Sequence, residues 1–165
     1  MHARTITIPR RFRGPADSGN GGYTCGLLAG YVDAPTVVVT LRSRPPLERP
    51  LTVRADGDRV VLEDGSTLVA EAAATELALE PPPPVTLEEA VAATVRYAGY
   101  EEHVFPECFV CGPARPEGDG LRIFAGPVAG RDGVVAAPWV ARAGGAALTW
   151  AAIDCPGAFA VGLTE

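Results

Sequence analysis

An α+β fold is predicted by three features of this chain. An alternating segment, a glycine-rich loop and an apolar helix open it. A run of β-branched segments joined by two Asp-Gly turns follows. After a proline-rich spacer, a strand-like, Gly-Gly, apolar-helix order returns.

Arg4 to Phe12 alternates apolar and polar residues as a strand does, and Pro9 places it at an edge or a bulge. Gly14 to Gly22 is rich in turn formers. The glycines of Gly19-Asn20-Gly21-Gly22-Tyr23 stand where this loop enters a helix that runs to about Val32. A helix start offers free backbone N–H groups and a positive dipole end, suited to an anion or a polarised carbonyl. Gly26, Ala29 and Gly30 are small enough to bring this helix close to a sheet. Each helical glycine costs about 1 kcal/mol relative to alanine, which burial must offset.

Strands are predicted at Thr36 to Arg42, Leu51 to Ala55 and Arg59 to Glu63; Thr67 to Leu79 has enough alanine for helix or strand, and a strand is favoured because it completes the meander. Asp56-Gly57 and Asp64-Gly65 signal hairpin turns and so an antiparallel meander. Pro81 to Pro84 form a stiff, extended spacer. Thr86 and Glu89 have capping-box spacing ahead of a short helix reaching about Tyr97. His103 to Gly120 reads as irregular, Leu121 to Phe124 and Val134 to Ala137 as short strands. Ala146 to Asp154 reads as a second buried helix that Pro156 kinks or ends.

Composition narrows the function classes. With 47% hydrophobic residues, the 165-residue chain can bury a core. Its net charge of -6 argues against a nucleic-acid partner. All 14 basic residues are arginine, the mark of a GC-rich genome. No apolar stretch approaches the ~18 residues of a membrane helix, and the N-terminus lacks a signal peptide's apolar block. The expected location is cytoplasmic, where Cys25, Cys108, Cys111 and Cys155 would be thiols.

The order of these elements resembles the hotdog fold, a long helix wrapped by an antiparallel sheet. Gly21-Gly22-Tyr23 followed by Leu27-Leu28-Ala29 is similar to the N-terminal half of double-hotdog acyl-CoA thioesterases. Cys108 to Arg115, Gly118 to Phe124 and Trp150 to Gly157 resemble segments of actinobacterial thioesterase-like proteins. The resemblance implies a first hotdog unit at 1–80, a connector at 81–117 and a partial second unit at 118–165. It also implies a catalytic Asp at Asp154 on the second helix. Those enzymes use hydroxyl and amide side chains from strands after that helix, and the given chain stops before them, at Glu165. A truncated gene, a shorter form or completion by another subunit are all open, and the expected state is a homo-oligomer or docking of the partial unit on the first.

The resemblance implies acyl-CoA or a similar thioester as partner, hydrolysed or merely bound. The Gly22 N–H would stabilise the oxyanion, with Asn20 capping the helix or touching substrate. Asp154 would act as general base or nucleophile. Gly21, Tyr23, Arg11 and Arg13 complete the expected substrate contacts, the arginines meeting coenzyme A phosphates or forming a solvated strand end.

No cofactor is expected. Gly19-x-Gly21 lacks the third glycine of a dinucleotide fingerprint, and no Gly-x-Ser-x-Gly elbow exists. The only histidines are His2 and His103. Cys108-x-x-Cys111 is one pair where a structural zinc site needs four ligands. Cys25 and Cys155 would join only if the fold brought them in. No metal is therefore expected, and the pair reads as two small apolar residues packing the connector.

Overall fold

The computed structural model describes residues 4–141 and 145–162. His2 and Gly144, the first glycine of the second Gly-Gly pair, lie outside the described residues. The fold is α+β and is built on a five-stranded antiparallel sheet.

Its strands are β1 (Arg4–Thr7), β2 (Val37–Leu41), β3 (Pro50–Asp56), β4 (Arg59–Asp64) and β5 (Thr67–Ala74), in the spatial order β1-β3-β4-β5-β2. β3, β4 and β5 form the expected meander. Asp56 pairs with Arg59 and Asp64 with Thr67, so the loop residues are Gly57-Asp58 and Gly65-Ser66. Each aspartate is thus the last strand residue. Each glycine takes the first loop position with φ near 60°, where a side chain would be strained.

β1 is shorter than expected. Pro9 cannot donate to a ladder, and after it Arg10–Phe12 turn into a 3-10 helix. Ile8 stays fully buried at the bend. β5 ends at Ala74, ahead of an exposed Leu77 and Leu79.

Helix α1 (Gly21–Ala29) carries the chain from the β1 edge of the sheet to the β2 edge. It packs on β2, β4 and β5, and Leu28 is fully buried there. Leu28 joins Ile6, Ile8, Leu51, Val53, Leu62 and Val69 in the first core. Burying each such side chain stabilises by about 1.5–3 kcal/mol.

Helix α2 (Leu87–Thr94) starts with the predicted capping box: Thr86 accepts from the Glu89 N–H, and Glu89 accepts from the Thr86 N–H at 2.7 Å. A two-stranded ladder joins β6 (Gly126–Pro127) to β7 (Val135–Ala136). Leu121 to Phe124 do not form the expected strand. Leu121 and Ile123 donate to the carbonyls of Phe109 and Val110, so these apolar residues line a loop against the connector.

Helix α3 (Gly145–Ala160) departs most from expectation. It continues through Pro156, and only Ala151 and Ala152 are buried, while Ile153 is 67% exposed. It lies antiparallel on α1, the heaviest contact between two elements of the fold. Gly22 and Gly26 serve this contact rather than the sheet. A Cβ on Gly22 would lie 2.5 Å from the Trp150 carbonyl oxygen. One on Gly26 would lie 2.6 Å from Ala147 Cα and 2.8 Å from Trp150 Cβ.

A second core gathers Tyr97, Cys108, Phe109, Val110, Cys111, Ile123, Phe124, Ala151 and Ala152. Phe12 and Tyr23 stack at 3.9 Å between the two cores, with Phe109 edge-on to Phe12 at 4.8 Å.

Gly26→Ala tests the helix contact. Helix propensity alone would stabilise the variant by about 1 kcal/mol. The new methyl meets backbone, which no rotamer change can relieve, and overpacking of this kind costs about 1–3 kcal/mol. The clash is with backbone, which puts the cost in the upper half of that range, so the expected net result in urea denaturation is a loss of about 1–2 kcal/mol. Unchanged or raised stability would mean that the two helices do not approach this closely.

Candidate functional site

The start of α1 is fixed by a loop with little freedom. The Asn20 N–H donates to the Phe12 carbonyl at 2.8 Å, and the Gly19 N–H donates to Pro45 at 2.8 Å. Buried Ser18 donates its hydroxyl to Pro45 as well, at 3.1 Å. Asn20, 3% exposed, caps the helix: its Oδ1 accepts from the Tyr23 N–H at 2.9 Å.

α3 presents Asp154 to this helix start. Asp154 Oδ2 accepts from the Gly22 N–H at 2.9 Å. A carboxylate at a helix N-terminus is favoured by the dipole and by the otherwise unpaired donor. Asp154 is exposed as a residue, but desolvation of its carboxyl raises its pKa from the ordinary value; the Gly22 bond opposes that, and the charge of Cys108 adds to it. Cys25, buried on α1, is pushed up to about 11, mainly by desolvation and then by Asp154.

Asp154 opens on a cavity of about 330 Å³ with a largely apolar wall. Asn20, Gly21, His103, Phe105 and Phe159 line it together with Cys108, Cys111 and Cys155. The volume is at the small end of those that enclose organic ligands.

Three of the sequence-predicted site residues, Asn20, Gly21 and Asp154, line this cavity, and Gly22 reaches it through its bond to Asp154. The others lie elsewhere. Tyr23 is in the aromatic seam between the cores, where burial raises its phenol pKa. Arg11 pairs with Asp119 at 3.3 Å and Arg13 with Glu107 at 2.7 Å, so both arginines are tied to carboxylates, one in the connector and one just beyond it.

The connector contributes more than its composition suggested. Cys108 and Cys111 are buried, and α3 brings Cys155 to them, with Cys108 Sγ and Cys155 Sγ 3.7 Å apart. Gly112 follows the second cysteine where a Cβ would fall 2.4 Å from the Cys108 nitrogen, so glycine is required there. Cys108 is the sulfur that favours charge. Cys111 and Cys155 thiols bond toward it, and the backbone N–H groups of Cys111 and Val110 face it, which together outweigh burial and hold its pKa far down. Cys111 and Cys155 are correspondingly pushed up, because each bonds to Cys108 as the protonated partner.

Two further residues escaped the sequence reading. Tyr97, almost fully buried, donates its hydroxyl to the Cys111 carbonyl at 2.9 Å and so fixes the end of the cysteine turn. Arg115 is buried beneath the connector. It donates to the carbonyls of Glu107 at 2.8 Å and Arg11 at 2.7 Å and to Asp119 at 2.7 Å, with its guanidinium over the Phe109 ring. Its only sequence signal is its place in the Cys-Gly-Pro-Ala-Arg run.

No family model matches the chain, and neither the curated proteins nor the solved structures include a significant match to it. Among the described residues no helix is long and apolar enough to cross a membrane.

Arg115→Met keeps much of the apolar stem and removes every donor. It removes the charged donor from the Glu107 and Arg11 carbonyls, and a hydrogen bond to a charged group contributes about 1.5–3 kcal/mol. The expected outcome is a loss of about 2–4 kcal/mol in chemical denaturation, with faster amide exchange at Cys108 to Cys111. A change below about 0.5 kcal/mol would place the connector's order elsewhere.

Proposed function

We propose that this chain is a hotdog-type protein that hydrolyses acyl-CoA or a similar acyl thioester. The observation that carries the reading is the Asp154 carboxylate held at the N-terminus of α1, at the mouth of an apolar cavity. An acyl chain suits such a wall, and a helix start suits the carbonyl oxygen. The helix α1 laid on an antiparallel sheet, with α3 antiparallel beside it, supports the hotdog kinship.

In this reading the thioester carbonyl takes the place of Asp154 at the Gly22 N–H, which stabilises the oxyanion. Asp154, released from that bond, takes a proton from water as the water oxygen attacks the carbonyl carbon. The tetrahedral intermediate then expels the thiolate as the C–S bond breaks. Asp154 returns the proton to sulfur, leaving a carboxylic acid and a free thiol. Asn20 holds the helix start in place through Tyr23. The half-covered α3, with Ile153 outward, is the surface we assign to a second copy of the chain, and the reduced thiols suit a cytoplasmic setting.

One observation favours the alternative, a non-catalytic acyl-CoA or lipid binder: the two groups assigned to catalysis already satisfy each other.

The test is hydrolysis of short-, medium- and long-chain acyl-CoA thioesters, followed by thiol release, with binding measured by calorimetry. Asp154→Asn keeps an acceptor for the Gly22 N–H and loses the base. It should lower kcat by at least about 100-fold while leaving the protein folded. Binding without turnover in the native chain selects the binding protein. Neither binding nor turnover across the panel rejects both readings.

A further inference from the structure

We propose that Cys108, Cys111 and Cys155 form a three-thiolate site for a thiophilic divalent metal of the zinc class, with its fourth position open to the cavity. The three sulfurs all lie within 4.8 Å of one another. Zinc–sulfur bonds of about 2.3 Å in a tetrahedral site set neighbouring sulfurs about 3.8 Å apart. Cys108 and Cys155 already stand 3.7 Å apart, unbonded, and the remaining separations need shorten by no more than about 1 Å. That lies within reach of a thiol side-chain rotation.

The surroundings suit sulfur that carries charge. Buried Asn20 directs its Nδ2 at both Cys108 Sγ, 3.9 Å, and Cys155 Sγ, 4.0 Å. Neutral thiols are poor acceptors, and a buried amide donor is costly to leave unpaired; thiolates would satisfy it. The start of α1 adds its positive dipole end at the same place. A metal bound by three thiolates carries one net negative charge, which these donors stabilise. Metal binding releases the protons still held by the thiols.

His103 contributes the second independent observation. Its Nε2 is buried without a partner, and the residue lines the same cavity as the three sulfurs. Its Nδ1 accepts from the Phe105 N–H at 2.9 Å, so the neutral ring carries its proton on Nε2. As a donor, that nitrogen is not a ready fourth ligand, although its residue lines the same cavity as the sulfurs. Among the described residues three ligands are supplied, and the fourth falls to water or a small anion reaching the site through the cavity. A closed structural site would use four protein ligands; three with an open position is the arrangement of metals that bind exogenous groups. The site stands or falls independently of thioester hydrolysis, since its readout is the metal itself.

The test uses the full chain produced with zinc under reducing conditions. Elemental analysis after gel filtration should find about one zinc per chain. Replacement by cobalt(II) should give thiolate-to-cobalt charge transfer and the intense visible bands of a tetrahedral site. Cys155→Ser and Cys108→Ser should each lose the metal, and Cys25→Ser should keep it. His103→Gln should keep the stoichiometry with affinity lowered about 10- to 100-fold, as expected of a neighbour that orients or stabilises ligands. Should the cysteine variants fail to fold, thiol titration of the native chain decides: a strong chelator should raise the number of fast-reacting thiols by three. The proposal is overturned by native protein that binds neither zinc nor cobalt, by a Cys108–Cys155 disulfide in protein kept reduced, or by metal that persists undiminished in folded Cys155→Ser.

Discussion

Much of this structure depends on two helices meeting with no side chain between them. Gly22 and Gly26 stand one turn apart on one face of α1, and α3 occupies the space their side chains would fill. Dispersion and burial across such a contact depend steeply on distance, so separation by even an ångström forfeits much of it. The same closeness sets the chemistry. It brings the Gly22 N–H to 2.9 Å from Asp154 and places the Asn20 amide between Cys108 and Cys155. The polar groups at this junction therefore satisfy one another only because the backbones touch. A side chain at either glycine would disturb packing and site together.

The rest of the chain holds this junction from two sides. On one, the sheet buries α1 through Leu28 and the apolar faces of β3, β4 and β5. On the other, the connector packs against Ala151 and Ala152 of α3 and closes the second core around Tyr97 and Phe109. Phe12, Tyr23 and Phe109 bridge the two cores, so displacement of one is felt by the other. Arg115 holds the connector in shape through carbonyls and Asp119, an arrangement in which a long cation replaces regular secondary structure.

What was legible in the sequence is what local physics decides. The hairpins follow from glycines that take positive φ, the α2 start from Thr86 and Glu89, and α1 from a glycine loop ahead of an apolar run. Partners distant in sequence were not legible. Cys155 meets Cys108 across 47 positions, and nothing within either segment announces the other. The small Gly26 suits close contact with the sheet, yet it faces α3. Pro156 favours a kink or a stop, yet α3 continues through it, tertiary contact outweighing a local preference. Leu121 to Phe124 have the composition of a strand, but their N–H groups are taken by the connector. At the candidate site, Asp154 and the glycine pair were visible separately; their direct bond was not.

The meander and the junction differ in how far apart their partners lie along the chain. β3, β4 and β5 close through two-residue loops, so little chain entropy is lost in forming them. α1 and α3 meet over more than a hundred intervening positions. Contacts of long sequence separation form late and slowly. During synthesis the sheet and α1 can therefore be complete while Gly22 and Gly26 still face water. The cavity, the carboxylate and the cysteine cluster come into being together when α3 docks, so chains halted before that step hold a formed sheet and no site.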